Sequence, residues 1–199
     1  MQKTQLGLFP LQIFLLPGET TRLHIFEDRY RQLLQDCENA SILFGIPYAQ
    51  NGYLTGYGCV VKLSQVIERH ANGSADIEIQ AVQLFRIDQF YMRMGDKLYP
   101  GGDVEVIDDK SMGSISDNLT KRLDAYFLKK QGKINIELFS AQAGIFDVAR
   151  SLKLSEAEKL SLVKAETAEK REQLIVNVLK LKEKLLEQEN SIVGEIFLN

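Results

Sequence analysis

Residues 6–37 read LGLFPLQIFLLPGETTRLHIFEDRYRQLLQDC, and two hydrophobic periods meet inside them. In the first half Leu6, Leu8, Leu11, Ile13 and Leu15 alternate loosely, as a half-buried strand does, until Pro17-Gly18 closes the run. In the second half Phe26, Tyr30, Leu33, Leu34 and Cys37 recur at three and four residues, which predicts an amphipathic helix. Glu27 stands one turn before Arg31, an expected ion pair. The apolar opening is too short to span a bilayer. Pro10 interrupts it, and no small-residue cleavage site precedes the charges from Glu19 on, so neither an anchor nor an export signal is expected.

Outward from this stretch, residues 5–108 read mostly as strands. Residues 42–46 form an apolar run, and Cys59, Val61 and Leu63 alternate. Asn72-Gly73 offers the positive φ angles of a tight hairpin turn. The partner strand has Ile77, Ile79 and Ala81 on one face and Asp76, Glu78 and Gln80 on the other. A last strand, residues 104–107, follows an expected turn at Pro100-Gly101-Gly102. From about residue 112 the period becomes helical. Leu119, Leu123, Tyr126 and Phe127 mark one helix ending near Gly132; Ala143, Phe146, Ala149, Leu152 and Leu154 suggest a second. Ser155 and Glu158 form a capping box opening a third, which carries Leu160 and Val163. A fourth spans about 168–188, with Leu174, Val178, Leu181 and Leu185 on its expected buried stripe. The expected class is therefore α+β, with a β-rich domain over residues 1–110 and a helical bundle over 111–199.

A net charge of -3 in 199 residues argues against a large phosphate-binding surface, which needs clustered Lys and Arg. Lys129 and Lys130 fall at a helix end, where cations suit the dipole. Cys37 and Cys59 each sit among apolar neighbours and are expected to be reduced core residues of a cytoplasmic protein. The Asn39, Asn72 and Asn118 sequons mean little without export.

Several motifs together carry a family resemblance. Leu8-Phe9-Pro10-Leu11, Leu16-Pro17-Gly18 and Leu23-His24-Ile25-Phe26-Glu27-x-Arg29-Tyr30-Arg31 resemble the opening of the Lon protease N-terminal, substrate-binding domain family. Phe44-Gly45-Ile46, Gly58-Cys59-Val60-Val61 and residues 81–87 are similar to later strands of that family, although Ala81 stands where glycine is usual and Gln83 where a basic residue is common. Ala149-x-x-Leu152-x-Leu154 and Glu158-Lys159-x-x-Leu162-Val163 extend the likeness into the helices. The resemblance implies a PUA-like pseudo-barrel of about six strands followed by a helical bundle. It also implies recognition of unfolded or tagged polypeptides, with delivery to a separate protease or chaperone. No Gly-rich loop ending in Gly-Lys-Ser/Thr occurs in the sequence, and by the resemblance the chain is expected to stop where an ATPase would begin. A non-enzymatic module without cofactor or metal is expected, and an RNA-binding PUA-like module is the alternative.

Ser161-x-x-Lys164 has the spacing of a serine nucleophile and lysine base, and Ser116-Asp117-Asn118 matches a second penicillin-recognising motif. Their order is reversed and no Lys-Thr-Gly follows, so chance explains them better. His24 and Glu27 are spaced to meet across a turn, but two histidines in the chain supply a metal site poorly. Arg29 and Arg31 read as structural. The suggestive residues are aromatic. Tyr48, Tyr53 and Tyr57 lie in a stretch, residues 47–58, too glycine-rich for a regular element; Phe90, Tyr91, Met92 and Met94 form a second cluster. Tyrosine offers rigid contact area and methionine adapts to varied partners. Two readings stand: a peptide-binding surface, or a hairpin whose aromatics pack on its own barrel. Beyond the last helix, Ile192, Val193, Ile196, Phe197 and Leu198 are expected to form a tail. Bent at Gly194, it would dock in an apolar groove, its own or a second copy's, or else cover the open end of the bundle.

Overall fold

The computed structural model describes residues 3–107, 114–131 and 144–197, divided between two compact units, residues 1–111 and 112–199. The first contains β1 (Lys3–Gly7), β2 (Thr20–Ile25), α1 (Asp28–Ala40), β3 (Phe44–Gln50), β4 (Tyr53–Arg69), β5 (Ala75–Tyr91) and β6 (Gly101–Ile107). All ladders are antiparallel, in the order β1-β6-β5-β4-β3, with β2 beside β5. The sheet closes because the chain just after β1 runs parallel to β3, with Leu8 bridging Gly45 and Leu11 bridging Tyr48. The amide of Phe9 donates to the Gly45 carbonyl and that of Ala49 to the Leu11 carbonyl, both at 2.8 Å. The result is a six-stranded, PUA-like pseudo-barrel. Residues 6–16 are thus not one alternating strand. Pro10 has no N–H for a ladder, β1 ends at Gly7, and Phe14, Leu15 and Leu16 are consecutively buried.

The alternation on β5 holds through Ile77, Ile79 and Ala81, all buried. Val60 then pairs with Gln83 and Val61 with Ala81, so Val82 is an extra residue in the ladder. This bulge shifts the phase and buries Leu84 and Phe85. Ala81 meets the chain before β2 through the Gly18 and Glu19 backbone and needs no glycine geometry. Inside, Leu6, Leu8, Val60, Phe85 and Val104 form one cluster. Gly58 lies opposite Phe85; a Cβ there would stand 2.5 Å from the ring and 2.4 Å from the Ile46 carbonyl. The glycine is there because the ring fills its space. Of Asn72-Gly73 only Gly73 has positive φ: the turn is type I, closed by the Gly73 amide on the His70 carbonyl at 2.9 Å, with Gly73 as the left-handed residue after it.

Other expectations are corrected. The helix begins at Asp28, so Phe26 stands outside it and is 60% exposed; Tyr30, Leu33, Leu34 and Cys37 are its buried face. Glu27 pairs with Arg29 instead of Arg31, which reaches Asp28 at 3.2 Å and the Asn72 carbonyl at 3.1 Å. Ile42 and Leu43 precede β3 and are exposed. Gly101 and Gly102 are strand residues, not a turn; a Cβ on Gly102 would meet the Gln89 carbonyl at 2.7 Å.

The second unit holds α2 (Asp117–Gln131), α3 (Ile145–Ser151), α4 (Glu156–Lys164) and α5 (Ala168–Phe197). Leu119, Leu123, Tyr126 and Phe127 are buried, as are Phe146, Ala149, Leu152 and Leu154. Gly132 and Ala143 lie outside the described residues. The capping box of α4 is formed, with the Ser155 amide donating to Glu158 at 2.7 Å. Among the described side chains of α5, Arg171, Ile175 and Leu179 are buried, whereas Leu181 and Leu185 are 56% and 48% exposed. The expected stripe therefore lies one residue off the buried one. The helix also continues through Gly194 to Phe197 without the expected bend; the side chains of residues 192–198 lie outside those described. Among the described residues no helix is long and apolar enough to cross a membrane.

Candidate functional site

The glycine-rich stretch 47–58 is regular after all. β3 and β4 are joined by Asn51 and Gly52, at φ 51° and 82°, the pairing of positive angles a two-residue type I′ turn demands. Tyr53, just past the turn, is 80% exposed, and Leu54 beside it is exposed as well. Tyr48 is not part of this surface. It is buried, with its ring 5.6 Å from that of Phe14. Tyr57 is half-buried and pairs across the ladder with Arg86, whose guanidinium reaches Glu105 at 2.6 Å.

The second cluster divides in the same way. Phe90 packs against the core cluster. Tyr91 is partly buried and donates its hydroxyl to Asp103; that hydrogen bond, with burial, raises the phenol above its ordinary range. Met92 is 78% exposed. Met94 lies against Gly101, where a Cβ would stand 2.8 Å from its own. The segment between β5 and β6 is pinned to α1. The Leu98 amide donates to Gln32 at 2.7 Å, Tyr99 donates to Asp36 at 2.7 Å, and Lys97 pairs with Asp36 at 2.9 Å. Lys97 chiefly holds the Asp36 carboxyl below its usual range, and burial pushes the Tyr99 phenol up.

Ladder register brings the two clusters together. Tyr57 pairs with Arg86, and from there β4 traced back to Tyr53 and β5 traced forward to Tyr91 run the same way. Tyr53 and Leu54, on opposite faces of β4, and Met92 just past β5 therefore stand exposed toward one end of the sheet, where Tyr57, Phe90, Tyr91 and Met94 are half-buried. Two nearby cations are matched: Lys3 pairs with Asp88 at 2.7 Å and Arg86 with Glu105. Two hollows of about 400 Å³ flank α1 elsewhere. Arg31, Glu38 and Arg69 line one, and Cys37, Ile42, Leu43 and Leu63 line the other. No periodicity in the sequence announces them, because each is made between α1 and residues about thirty positions away.

The expected His24–Glu27 approach does not occur. His24 Nδ1 lies 2.7 Å from Asp76 Oδ1, and His70 Nε2 lies 2.8 Å from Asp76 Oδ2. Both histidines of the chain thus meet on one carboxylate, at the opposite end of the β4–β5 ladder from Tyr53. The serines are occupied structurally. Ser161 donates its hydroxyl to the Ala157 carbonyl at 2.9 Å, and Ser116 receives the Leu119 amide at 3.3 Å while donating to Glu172 at 2.7 Å. Cys37 and Cys59 are buried and in no disulfide.

The first unit is thus a closed six-stranded barrel and the second is helical. The family model described as the ATP-dependent protease La (LON) substrate-binding domain matches residues 5–184. The chain belongs to that family. It is similar to the crystal structure of a Lon N-terminal domain protein from Xanthomonas campestris, with 26% identity, 87% of this chain and 98% of that chain covered, and a TM-score of 0.66. It also shares the fold of the N-terminal domain of a Mycobacterium avium complex Lon protease, at 14% identity, 89% and 98% coverage and a TM-score of 0.61. Comparison with curated proteins finds no match.

Proposed function

We propose that this chain recognises unstructured, apolar-rich segments of unfolded or tagged polypeptides through the aromatic end of its barrel. It performs no chemistry on them and passes them to a separate protease or chaperone. Membership of a substrate-binding family supports the class of ligand. The observation that carries the site is that Tyr53, Leu54 and Met92 are all exposed toward one end of the sheet. An RNA ligand is disfavoured by the net charge of -3 and by the ion pairs that occupy Lys3 and Arg86. Titration of a fluorescent, permanently unfolded polypeptide, with and without ATP and beside a random RNA pool, tests the reading. ATP-independent binding of the polypeptide is expected. Salt-sensitive binding of RNA alone, or ATP-stimulated cleavage of the polypeptide, would refute it.

For the second unit we propose a second copy of this chain as partner. Leu174, Val178, Leu181 and Leu185 recur at four, three and four residues, a coiled-coil spacing, on a side of α5 that leaves Leu181 and Leu185 exposed. Ile192 falls on the same spacing one heptad after Leu185. Light scattering on the full chain and on Leu181→Lys/Leu185→Lys tests this: a dimer that becomes monomeric is expected, and a wild-type monomer would refute it.

A further inference from the structure

Three neighbouring strands lay a row of ligand-type side chains across the face of the sheet opposite its buried one. His24 on β2 pairs directly with Asp76 on β5, and Asp76 pairs directly with Glu68 on β4. Cross-strand partners project to the same face; Ile25 and Ile77, next along their strands, point inward and are buried. His70 follows Glu68 by two residues, where β4 enters its turn, and joins the row. The type I turn and left-handed Gly73 bring His70 back over Asp76, so chain topology, not sequence proximity, assembles the group. One ligand atom each from His24, His70 and Asp76 lie within 4.8 Å of one another. The two imidazoles stand 5.6 Å apart, tilted by 53°. Glu68 lies 3.8 Å from His70 Nδ1, on the ring edge facing away from Asp76.

We propose that His24 Nδ1, His70 Nε2 and an Asp76 oxygen form a site for a borderline divalent transition metal ion, Zn²⁺ being the type case. Two imidazoles and a carboxylate suit Zn²⁺, Co²⁺, Ni²⁺ and Cu²⁺, whereas Mg²⁺ and Ca²⁺ demand oxygen ligands. Ligand atoms on one tetrahedral ion at about 2.0–2.2 Å stand roughly 3.4 Å apart. The N···O contacts at 2.7 and 2.8 Å must open and the wider separations, up to 4.8 Å, must close, each by on the order of an ångström, within reach of side chains that are half exposed at His24 and a third exposed at His70 and Asp76. Each ring nitrogen already aims at one oxygen of the same carboxylate, so a small turn of the two rings brings both onto an ion seated beside it. Glu68 then holds the far nitrogen of His70, the outer carboxylate that metal-bound histidines commonly have. Phe26 stacks on His24, centroids 6.0 Å apart, and covers one side. A fourth position stays open to water. The site is separate from the aromatic end and does not depend on the proposed peptide function. Its structural effect is to tie the tip of the β4–β5 hairpin to β2.

Untagged full-length protein is titrated with Zn²⁺ alone and with Mg²⁺ alone by calorimetry, and with Co²⁺ alone by visible absorption. One Zn²⁺ and one Co²⁺ per chain, with the intense visible bands of tetrahedral Co²⁺ and no Mg²⁺ binding, are expected. His24→Gln, His70→Gln and Asp76→Asn should each abolish the Co²⁺ bands, with the circular dichroism spectrum unchanged. Glu68→Gln should retain the bands and weaken Zn²⁺ by about tenfold. Absence of Zn²⁺ binding by the wild type would overturn the proposal. So would Zn²⁺ affinity that persists unchanged in folded His24→Gln and His70→Gln, because the ion would then sit elsewhere.

Discussion

Tyr48 and Tyr53 sit five residues apart in one hairpin, and replacing each by alanine separates core from surface. Tyr48 is 6% exposed and packs on Phe14, so truncation removes an aromatic from a closed interior. Such changes cost about 3–5 kcal/mol through lost burial and the cavity left behind. In a unit of this size each kcal/mol moves the melting temperature by roughly 4 °C or more, so a fall on the order of 15 °C is expected. Tyr53 is 80% exposed, and its truncation should stay within about 0.5 kcal/mol, or a few degrees. Binding should behave in the reverse sense. If Tyr53 anchors a polypeptide, its loss should weaken affinity by about 1–2 kcal/mol, roughly 5–30-fold. Calorimetry supplies the melting temperatures, and fluorescence anisotropy with a labelled unfolded polypeptide supplies the affinities. Tyr53→Ala with wild-type affinity would remove the aromatic end from the binding surface. A fall in its melting temperature as large as that of Tyr48→Ala would overturn the division between the two tyrosines.

Met92→Ala should likewise weaken polypeptide binding several-fold while leaving the melting temperature within a few degrees, since the side chain is 78% exposed; unchanged affinity would exclude it from the surface. Gly58→Ala should be more destabilising than Gly45→Ala. Its Cβ meets the Ile46 carbonyl at 2.4 Å and the Pro47 Cα at 2.9 Å, backbone that cannot turn aside, whereas the nearest atom at Gly45 is the Leu8 Cδ2. About 3 kcal/mol or more is expected at Gly58, with the reverse ranking in urea unfolding refuting the packing argument. Alkaline pH should loosen the barrel. Burial pushes the Cys37 thiol up to about 12 from its ordinary 9.0 and raises the Tyr99 phenol too. Both values are raised in the folded state, so the stability they represent is complete below about pH 9 and is lost as pH rises toward 12. Melting between pH 7 and 10.5 should therefore fall less in Cys37→Ala than in the wild type, and equal falls would refute the link.

What the sequence shows of this fold is what depends on local period. Ile77, Ile79 and Ala81 alternate and are buried; Tyr30, Leu33, Leu34 and Cys37 recur helically and are buried; Ser155 and Glu158 cap as their spacing requires. Readings fail where a neighbour sets the answer. On α5, the stripe through Leu174 and Leu181 and the one through Ile175 and Leu179 are both apolar, and only the packing of α2, α3 and α4 selects the second. The stretch 47–58 looks irregular because its glycines, which weaken a strand by propensity, serve other ends here: Gly52 turns the hairpin and Gly58 admits the Phe85 ring.

The site is subject to the same limit, since nothing at i and i+2 distinguishes Tyr48 from Tyr53. The difference arises from the pleat, the parallel seam from Leu8 to Leu11, and Phe14 beneath it. The pairing of the two aromatic clusters requires the 57–86 register, a contact 29 residues apart in the chain, and the meeting of His24 with His70 requires one 46 apart. The first is fixed by the long β4–β5 ladder, whose bulges at three places set which residues face outward along it, and the second also needs the β2–β5 ladder that brings His24 to Asp76. A bulge moved by one residue would exchange inward and outward side chains along everything beyond it. The aromatic end and the histidine end are therefore coupled to the barrel's register before they are coupled to any ligand. A deletion of Val82, which removes the extra residue between Ala81 and Gln83, should disturb the exposure of Tyr53 and leave the His24–Asp76 contact, in the unshifted β2–β5 ladder before the bulge, in place. Solvent accessibility of a cysteine placed at residue 53 and the ring resonances of His24 would report the two effects, and a deletion that disturbed the His24 contact or left residue 53 unchanged would refute the register argument.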